Sequence, residues 1–178
     1  VRLTGAAARL SATSANLVIR QGAILELNGA TSANATVAAL DGAGTITNVD
    51  PAAATFTQTG AGTWAGIFQD GAGVLNVTKG GTTGAPIWTG LNTYTGVTTI
   101  AGTTGSVTVD VLADGGVDSG IGASSSAAAN LVFAGTTGGL IYRGSLIHGS
   151  LTLGSISAST NRLFTITGSG ATFSRTAI

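Results

Sequence analysis

The 178-residue chain contains no cysteine and no methionine, which excludes a disulfide framework and any thiolate metal or redox site. Charge is also scarce, because charged side chains make up 8% of the residues against about 25% in an average domain. Seven basic residues balance seven acidic ones, so nucleic acid and anionic membrane surfaces lack their usual electrostatic attraction. We therefore expect no nucleic-acid partner.

Long apolar runs are absent as well. Gly, Thr and Ser interrupt every hydrophobic segment, no run of 18 apolar residues occurs, and we expect no membrane insertion of this chain. The first residues lack the charged and apolar regions of a signal peptide, which predicts a mature chain or an excised segment. The mean hydropathy of +0.44 and the zero net charge differ from the composition of disordered chains, so the chain is expected to fold.

The chain is instead rich in glycine, with 29 residues, and in short runs that alternate apolar and polar side chains. These runs are bounded by Gly, Asn, Asp or Ser, which is typical of β-strands. One segment differs: in residues 124–130 three alanines follow a serine that can cap a helix, which predicts one helical turn or an ordered loop. The alternating runs lie at residues 23–27, 45–47, 74–77, 97–100, 106–111, 151–153 and 163–167.

Pairs of glycines separated by one residue recur between these runs, and we interpret them as copies of one corner. Two all-β folds are compatible with this pattern, an antiparallel sandwich or barrel and a parallel β-solenoid. Small corner residues favour the solenoid, because stacked coils bring backbones close together and a sandwich needs larger side chains between its sheets. A coil of roughly 20 residues predicts about nine coils. The pairs are Gly42 and Gly44, Gly60 and Gly62, Gly71 and Gly73, and Gly168 and Gly170.

Residues 73–81 and 88–102 resemble the autotransporter-associated β-strand repeat of large secreted bacterial proteins. The hallmark of this repeat is present as Asn-Thr-Tyr-Thr-Gly-Val-Thr-Thr at residues 92–99. Residues 113–133 are similar to the spacer that follows the repeat, and residues 159–166 are similar to a further element of the same proteins. The resemblance is best over residues 73–170, and residues 1–72 share its general character.

The resemblance implies an all-β fold, a right-handed parallel β-helix with irregular glycine-rich corners. It implies that residues 1–178 form a single β-helix segment of a longer exported protein, placed outside the cell or at the bacterial cell surface. The implied function is non-enzymatic, either structural or adhesive, with surface glycans or host and matrix components as partners.

Two alternative functions stay open. The first is a self-assembling extracellular filament or fibre subunit, because a β-helix cut at both ends exposes strand edges that support end-to-end self-association. The second is a polysaccharide-binding or polysaccharide-degrading β-helix, which for catalysis needs a pair of carboxylates in one groove.

The sequence contains few candidate catalytic or metal-ligating residues. Asp110, Asp114 and Asp118 are spaced four apart across a Gly-Gly turn and are of a type that ligates Ca²⁺, but their spacing fits neither an EF-hand loop nor a calcium roll. We therefore expect them to form a turn. His148 is the single histidine, lacks the neighbourhood of a hydrolase nucleophile and is expected on a coil surface.

The remaining acidic residues, Glu26, Asp41, Asp50 and Asp70, are scattered singly along the chain. No phosphate-binding or dinucleotide-binding loop occurs, so neither a catalytic residue nor a cofactor site or metal site is predicted. Three aromatic residues remain as candidates for a sugar-stacking platform, and we expect them instead to pack against other aromatic rings. They are Trp64, Trp88 and Tyr94.

Overall fold

The computed structural model describes residues 2–4, 16–28, 34–82, 84–144 and 158–175, and their regular structure is almost entirely β-strand. Six of the seven alternating runs contain a strand, and the run at residues 151–153 lies outside the described residues. The strands in chain order are β1 (Arg2–Thr4), β2 (Asn16–Ile19), β3 (Ile24–Asn28), β4 (Ala35–Val37), β5 (Ala39–Gly42), β6 (Thr45–Asn48), β7 (Ala54–Gln58), β8 (Thr63–Trp64), β9 (Ile67–Asp70), β10 (Leu75–Lys79), β11 (Ile87–Trp88), β12 (Thr98–Ile100), β13 (Val107–Val109), β14 (Leu131–Phe133), β15 (Gly139–Tyr142), β16 (Thr165–Ile166) and β17 (Thr172–Arg175).

The strands form three sheets, and every strand pairing in the described residues is parallel. Sheet A has the order β1-β3-β6-β9, and sheet B has the order β2-β5-β8-β11-β13-β15-β17. Sheet C has the order β4-β7-β10-β12-β14-β16. Neighbouring strands of one sheet are never consecutive in the chain. The chain therefore adds a strand to another sheet before it returns to the first sheet, one layer higher. This confirms the parallel β-solenoid and excludes the antiparallel sandwich.

The length of a coil changes along the chain. Between β2 and β13, ladder partners in sheet B are 21 to 24 residues apart, as in Trp64 opposite Trp88. Between β13 and β17 they are 33 residues apart, as in Val109 opposite Tyr142. Each coil contributes one strand to sheet B, and sheet B holds seven strands in the described part of the chain. The prediction of about nine coils is therefore wrong. The coil from β13 to β15 is longer because residues 110–130 form an excursion between β13 and β14.

The glycine pairs do not mark one repeated corner, so that interpretation is wrong. The first lies between β5 and β6, the second between β7 and β8 and the third between β9 and β10, which are three different corners of the coil. Their common feature is contact with the preceding coil. A Cβ atom added to Gly42 would overlap the carbonyl oxygen of Ile19, and one added to Gly62 would overlap that of Leu40. Both glycines also have a positive φ, +113° and +130°, that other residues rarely adopt.

The predicted helical turn is a 3₁₀ helix at Ala128–Asn130. The predicted serine cap is wrong, because the N-cap position is Ala127 and makes no side-chain hydrogen bond there. Asn130 instead donates from Nδ2 to Ser125 Oγ over 2.8 Å. This polar contact closes the turn from its C-terminal side.

The core of the solenoid is an apolar column with an aromatic cluster in its middle. Phe68 is the centre of the cluster, and its ring centroid lies 5.6 Å from those of Phe56, Trp64 and Trp88 and 6.3 Å from that of Tyr94. All five rings are fully buried. The predicted packing of Trp64, Trp88 and Tyr94 is thus confirmed, and the rings are inaccessible to a sugar. No helix in the described residues is long and apolar enough to cross a membrane.

Candidate functional site

The repeat hallmark at residues 92–99 lies where sheet A ends. In the described residues β9 is the last strand of sheet A, and Asn92 occupies the position above Phe68. Asn92 is fully buried; its Oδ1 accepts a hydrogen bond from Phe68 N at 2.9 Å, and its Nδ2 donates to Gly120 O at 2.9 Å. Its main chain forms an antiparallel bridge with Ser119. One amide side chain therefore joins the end of sheet A to the excursion after β13.

Tyr94 extends the same polar junction into the core. Its hydroxyl lies 2.7 Å from Thr98 Oγ1, which donates to Ile121 O at 3.0 Å, so the tyrosine hydroxyl acts as the donor to Thr98. Burial raises the pKa of Tyr94 well above its ordinary value, because the ionised phenolate would be desolvated. Gly122 has a φ of +81°, and an added Cβ would meet the Tyr94 ring. The tyrosine is thus held as a neutral structural donor.

The other hallmark positions stack the coil on its predecessor. Thr95 donates from both its main-chain N and its hydroxyl to Asp70 Oδ2, at 3.0 and 2.6 Å. Val97 N donates to Asn76 Oδ1 at 2.8 Å. A Cβ at Gly96 would overlap the carbonyl oxygen of Leu75. The hallmark is therefore a stacking motif rather than a set of catalytic groups.

Residues 113–124, which we call the arm, form the larger part of the excursion after β13. The arm is held by Arg162, a residue that is 8% exposed and lies in the last coil. Its guanidinium donates to four main-chain carbonyl oxygens and one hydroxyl of the arm: Ala113 O (3.0 Å), Asp114 O (3.3 Å), Val117 O (3.1 Å), Gly122 O (2.8 Å) and Ser124 Oγ (3.0 Å).

The two residues before Arg162 also bind the arm. Asn161 N donates to Asp114 Oδ1 at 2.7 Å, and Gly115 N donates to Asn161 Oδ1 at 2.9 Å. Thr160 Oγ1 donates to Ala113 O at 2.9 Å. Residues 113–133, which contain the arm, and residues 159–166, which contain Arg162, are both similar to parts of one family, but nothing in either sequence indicates that they touch.

Lys79 is a second buried cation that sequence analysis missed. It is fully buried at the end of β10, and its Nζ donates to Thr59 O at 3.3 Å and to Gly80 O. Its ladder partner Gln58 is equally buried and accepts a hydrogen bond from Trp88 Nε1 at 2.9 Å. The strand alternation was an available signal, because it places Lys79 on the same face as Leu75 and Val77. Inside the solenoid, Gln58 and Lys79 form a short polar ladder.

Burial lowers the pKa of Lys79 below its ordinary value of 10.5, because the charged form is desolvated. Between the lowered folded-state pKa and 10.5 the unfolded chain binds more protons than the native chain, so the free energy of unfolding rises with pH. We expect this rise as the pH approaches 10.5 from below, in urea unfolding followed by tryptophan fluorescence. Lys79→Met should abolish the rise. Arg20→Met, which removes an exposed cation, should leave it intact, and an unchanged slope in Lys79→Met would contradict the assignment.

Two of the three aspartates considered as calcium ligands, Asp110 and Asp114, have structural hydrogen bonds instead. Asp110 forms a bidentate ion pair with Arg143 of the next coil, with Nε to Oδ1 at 2.8 Å and Nη2 to Oδ2 at 2.9 Å. Asp114 accepts from Asn161 as described, and Asp118 is exposed on the arm. Within the described residues no three acidic or histidine side chains are grouped to hold a metal ion.

The other acidic candidates are equally dispersed. Asp41 Oδ1 accepts from Thr63 N at 2.8 Å, and Asp50 Oδ1 accepts from Ala52 N at 2.8 Å. Asp70 Oδ1 accepts from Leu75 N at 2.7 Å in addition to its contacts with Thr95. Each of these carboxylates fixes a corner or joins neighbouring coils. His148 lies outside the described residues, so its predicted surface position stays a prediction.

The outward face of sheet C carries a row of threonines in register, which we call the threonine row. Each member is half-buried and lies opposite the next on successive coils, with Val132 interrupting the series before its last member. The row contains no charge, and its neighbouring threonines are separated by the coil spacing of about 4.8 Å. Its members are Thr36, Thr57, Thr78, Thr99 and Thr165.

The C-terminal end of the described solenoid is apolar. β16 and β17 are the last strands of sheets C and B, and Ile166 and Phe173 continue columns whose earlier members, Phe133 and Leu140, are buried. Ile166 and Phe173 are each 50% exposed, and Phe164 beside them is 44% exposed. Side chains that point into the core in earlier coils are therefore open to solvent at this end.

The chain is similar to the Adhesin BmaC autotransporter of Brucella suis biovar 1 (strain 1330), with 36% identity over 116 residues. The aligned part is 64% of this chain and 3% of the adhesin, so the chain spans a small fraction of that protein. No family model and no solved structure matches the chain. The similarity confirms the predicted resemblance to autotransporter proteins, and with it the predicted secreted, cell-surface location.

Proposed function

We propose that the chain, as part of a secreted cell-surface protein similar to an autotransporter adhesin, is a non-enzymatic adhesive and structural segment. The observation that carries this proposal is the threonine row, an uncharged hydrogen-bonding surface that continues over successive coils. A single threonine makes a weak contact, but in-register repetition allows many contacts to act together. The stacked coils behind the row keep its members aligned, because the strands of sheet C are bonded to one another in a continuous ladder.

The structural roles of the carboxylates support a non-enzymatic function. A glycosidase places two carboxyl groups on either side of one bond, about 5 to 9.5 Å apart. Here Asp41, Asp70 and Asp110 lie on different coils and accept hydrogen bonds from main-chain or arginine donors. A carboxylate fixed in this way is an acceptor and not a free acid or base.

The adhesive role is tested with beads that carry the chain on surfaces of immobilised matrix proteins and glycans. The triple variant T57V/T78V/T99V keeps the β-branched shape and removes three hydroxyls, and we expect bead retention to fall by about tenfold through loss of multivalency. Raising the salt concentration should change retention little, because the row is uncharged. The matched control T63V/T108V removes hydroxyls from the outward face of sheet B and should retain binding.

Two results would count against the adhesive role. One is retention no greater than that of uncoated beads on every surface. The other is equal retention of the triple variant and the control, with circular dichroism showing that both are folded.

A second candidate function is a subunit that stacks end to end, and the apolar C-terminal end favours it. Exposed Ile166 and Phe173 on the last described strands provide apolar area for another copy. Light scattering should then show a mass that rises with concentration in the chain and not in Phe173→Lys. A constant monomer mass over the same range would reject this candidate.

A further inference from the structure

The arm is a binding site for a guanidinium group, made mostly of backbone. Four of the five acceptors around Arg162 are main-chain carbonyl oxygens, and none is a carboxylate. The planar fork of arginine presents five donors in fixed directions, which a lysine ammonium cannot reproduce. The acceptors therefore fit the shape of a guanidinium. They are grouped in this way when residues 113–124 adopt the observed conformation.

The contacts of Arg162 are independent of the strand ladder. In sheet C, Thr165 lies opposite Val132, 33 residues earlier. Arg162 instead reaches residues 38 to 49 positions earlier, on the arm rather than on the strand beneath it. The last coil is thus positioned by two separate sets of bonds.

The sheet C ladder alone specifies the register of β16 weakly, although β17 of the same coil pairs with β15 over four residues in sheet B. β16 has two residues, and it lies within the alternating run of residues 163–167. A slip by two residues would keep every side chain on its present face, since alternation has a period of two. A buried polar contact with one correct partner would distinguish the two registers, because a slipped arginine leaves its own donors and the arm carbonyls unpaired.

We propose that the arm is a guanidinium site that selects the arginine of residues 160–162 and thereby fixes the register of β16 on β14. Asn161 also favours the observed register of β16. It forms two hydrogen bonds, with Asp114 and Gly115, that a shifted chain cannot make. Arg162 is accordingly a positioning residue. The partner of the arm is the segment of residues 160–162 in the following coil.

The register is measured by disulfide formation in the full chain, which has no cysteine of its own. V132C/T165C joins ladder partners whose Cα atoms are roughly 4.8 Å apart, within the range of a disulfide. A134C/T165C and N130C/T165C report a slip of two residues in either direction, and in the observed register their Cα atoms are about 8 Å apart, too far to bridge. We expect the first pair alone to oxidise when Arg162 is present.

In the Arg162→Met background we expect the yield of the V132C/T165C disulfide to fall by about fivefold or more and a slipped pair to oxidise. Arg162→Lys should lie between the two, because it keeps the charge and loses the fork. Arg143→Met removes another arginine of the last coils, paired with Asp110, and should leave the native disulfide unchanged.

Two outcomes would overturn the proposal. If Arg162→Met forms the native disulfide alone and at full yield, the arginine does not set the register. If Arg162→Met or Arg162→Lys melts the whole chain by circular dichroism, the residue supports global folding instead, since loss of a register contact should leave the coils before β14 intact.

Discussion

Replacing Asn92 by alanine is expected to lower the free energy of unfolding by about 3 kcal/mol. The change removes two hydrogen bonds at a fully buried position, to Phe68 N and Gly120 O, and leaves both main-chain groups without that partner. Each orphaned buried group costs about 1 to 3 kcal/mol, so the combined loss should be large for a single side chain. The same change removes the side-chain link between the end of sheet A and the arm, and the main-chain bridge to Ser119 remains.

The measurement is urea unfolding followed by tryptophan fluorescence, because both tryptophans of the chain lie in the core beside this junction. Asn34→Ala is the matched control. Asn34 is exposed and accepts one hydrogen bond, from Thr55 N at 2.9 Å, so its loss should cost about 1 kcal/mol or less. Equal destabilisation by the two variants would show that Asn92 is not the junction described here.

The parallel solenoid was predictable from the sequence because its two main determinants are local. Alternation of apolar and polar residues defines which side chains face inward, as in Leu75 and Val77 of β10. Glycine at corners permits the close approach of coils, as at Gly42 and Gly62. Both signals are visible within a few residues and do not depend on which coil lies beneath.

The corners and the coil length could not be predicted in the same way. A Gly-x-Gly sequence indicates close backbone contact without indicating which corner it forms, and the observed pairs occupy three corners. The excursion after β13 lengthens the coil, and its position depends on Asn92 and Arg162, which lie far from it in sequence. A contact across about forty residues between a backbone site and a side chain has no local signature.

The buried cations show why composition predicts sites poorly in a solenoid. Lys79 lies in an alternating run and Arg162 in a polar segment, and a surface position is the ordinary expectation for both residue types. Main-chain carbonyls at the corners supply acceptors inside the structure, so a cation can be buried through hydrogen bonds to carbonyl oxygens, as Arg162 is. The number of such carbonyls depends on the stacking of coils, which a single sequence does not reveal.

Phe68→Ala is expected to destabilise the chain by about 4 kcal/mol, the largest effect of any single substitution proposed here. Phe68 is the ring that contacts Phe56, Trp64, Trp88 and Tyr94, so its loss leaves a cavity bounded by rigid rings that cannot collapse onto one another. Both the lost apolar burial and the unfilled cavity contribute.

The two tryptophans make this cluster directly observable, since both belong to it. We expect a lower urea midpoint and an altered native emission spectrum in Phe68→Ala. Phe173→Ala is the matched control, because it deletes the same atoms from a side chain of β17 that is 50% exposed. Its cost should be less than half that of Phe68→Ala, since half of that ring already contacts water. Equal costs would mean that the aromatic cluster does not hold the central coils together.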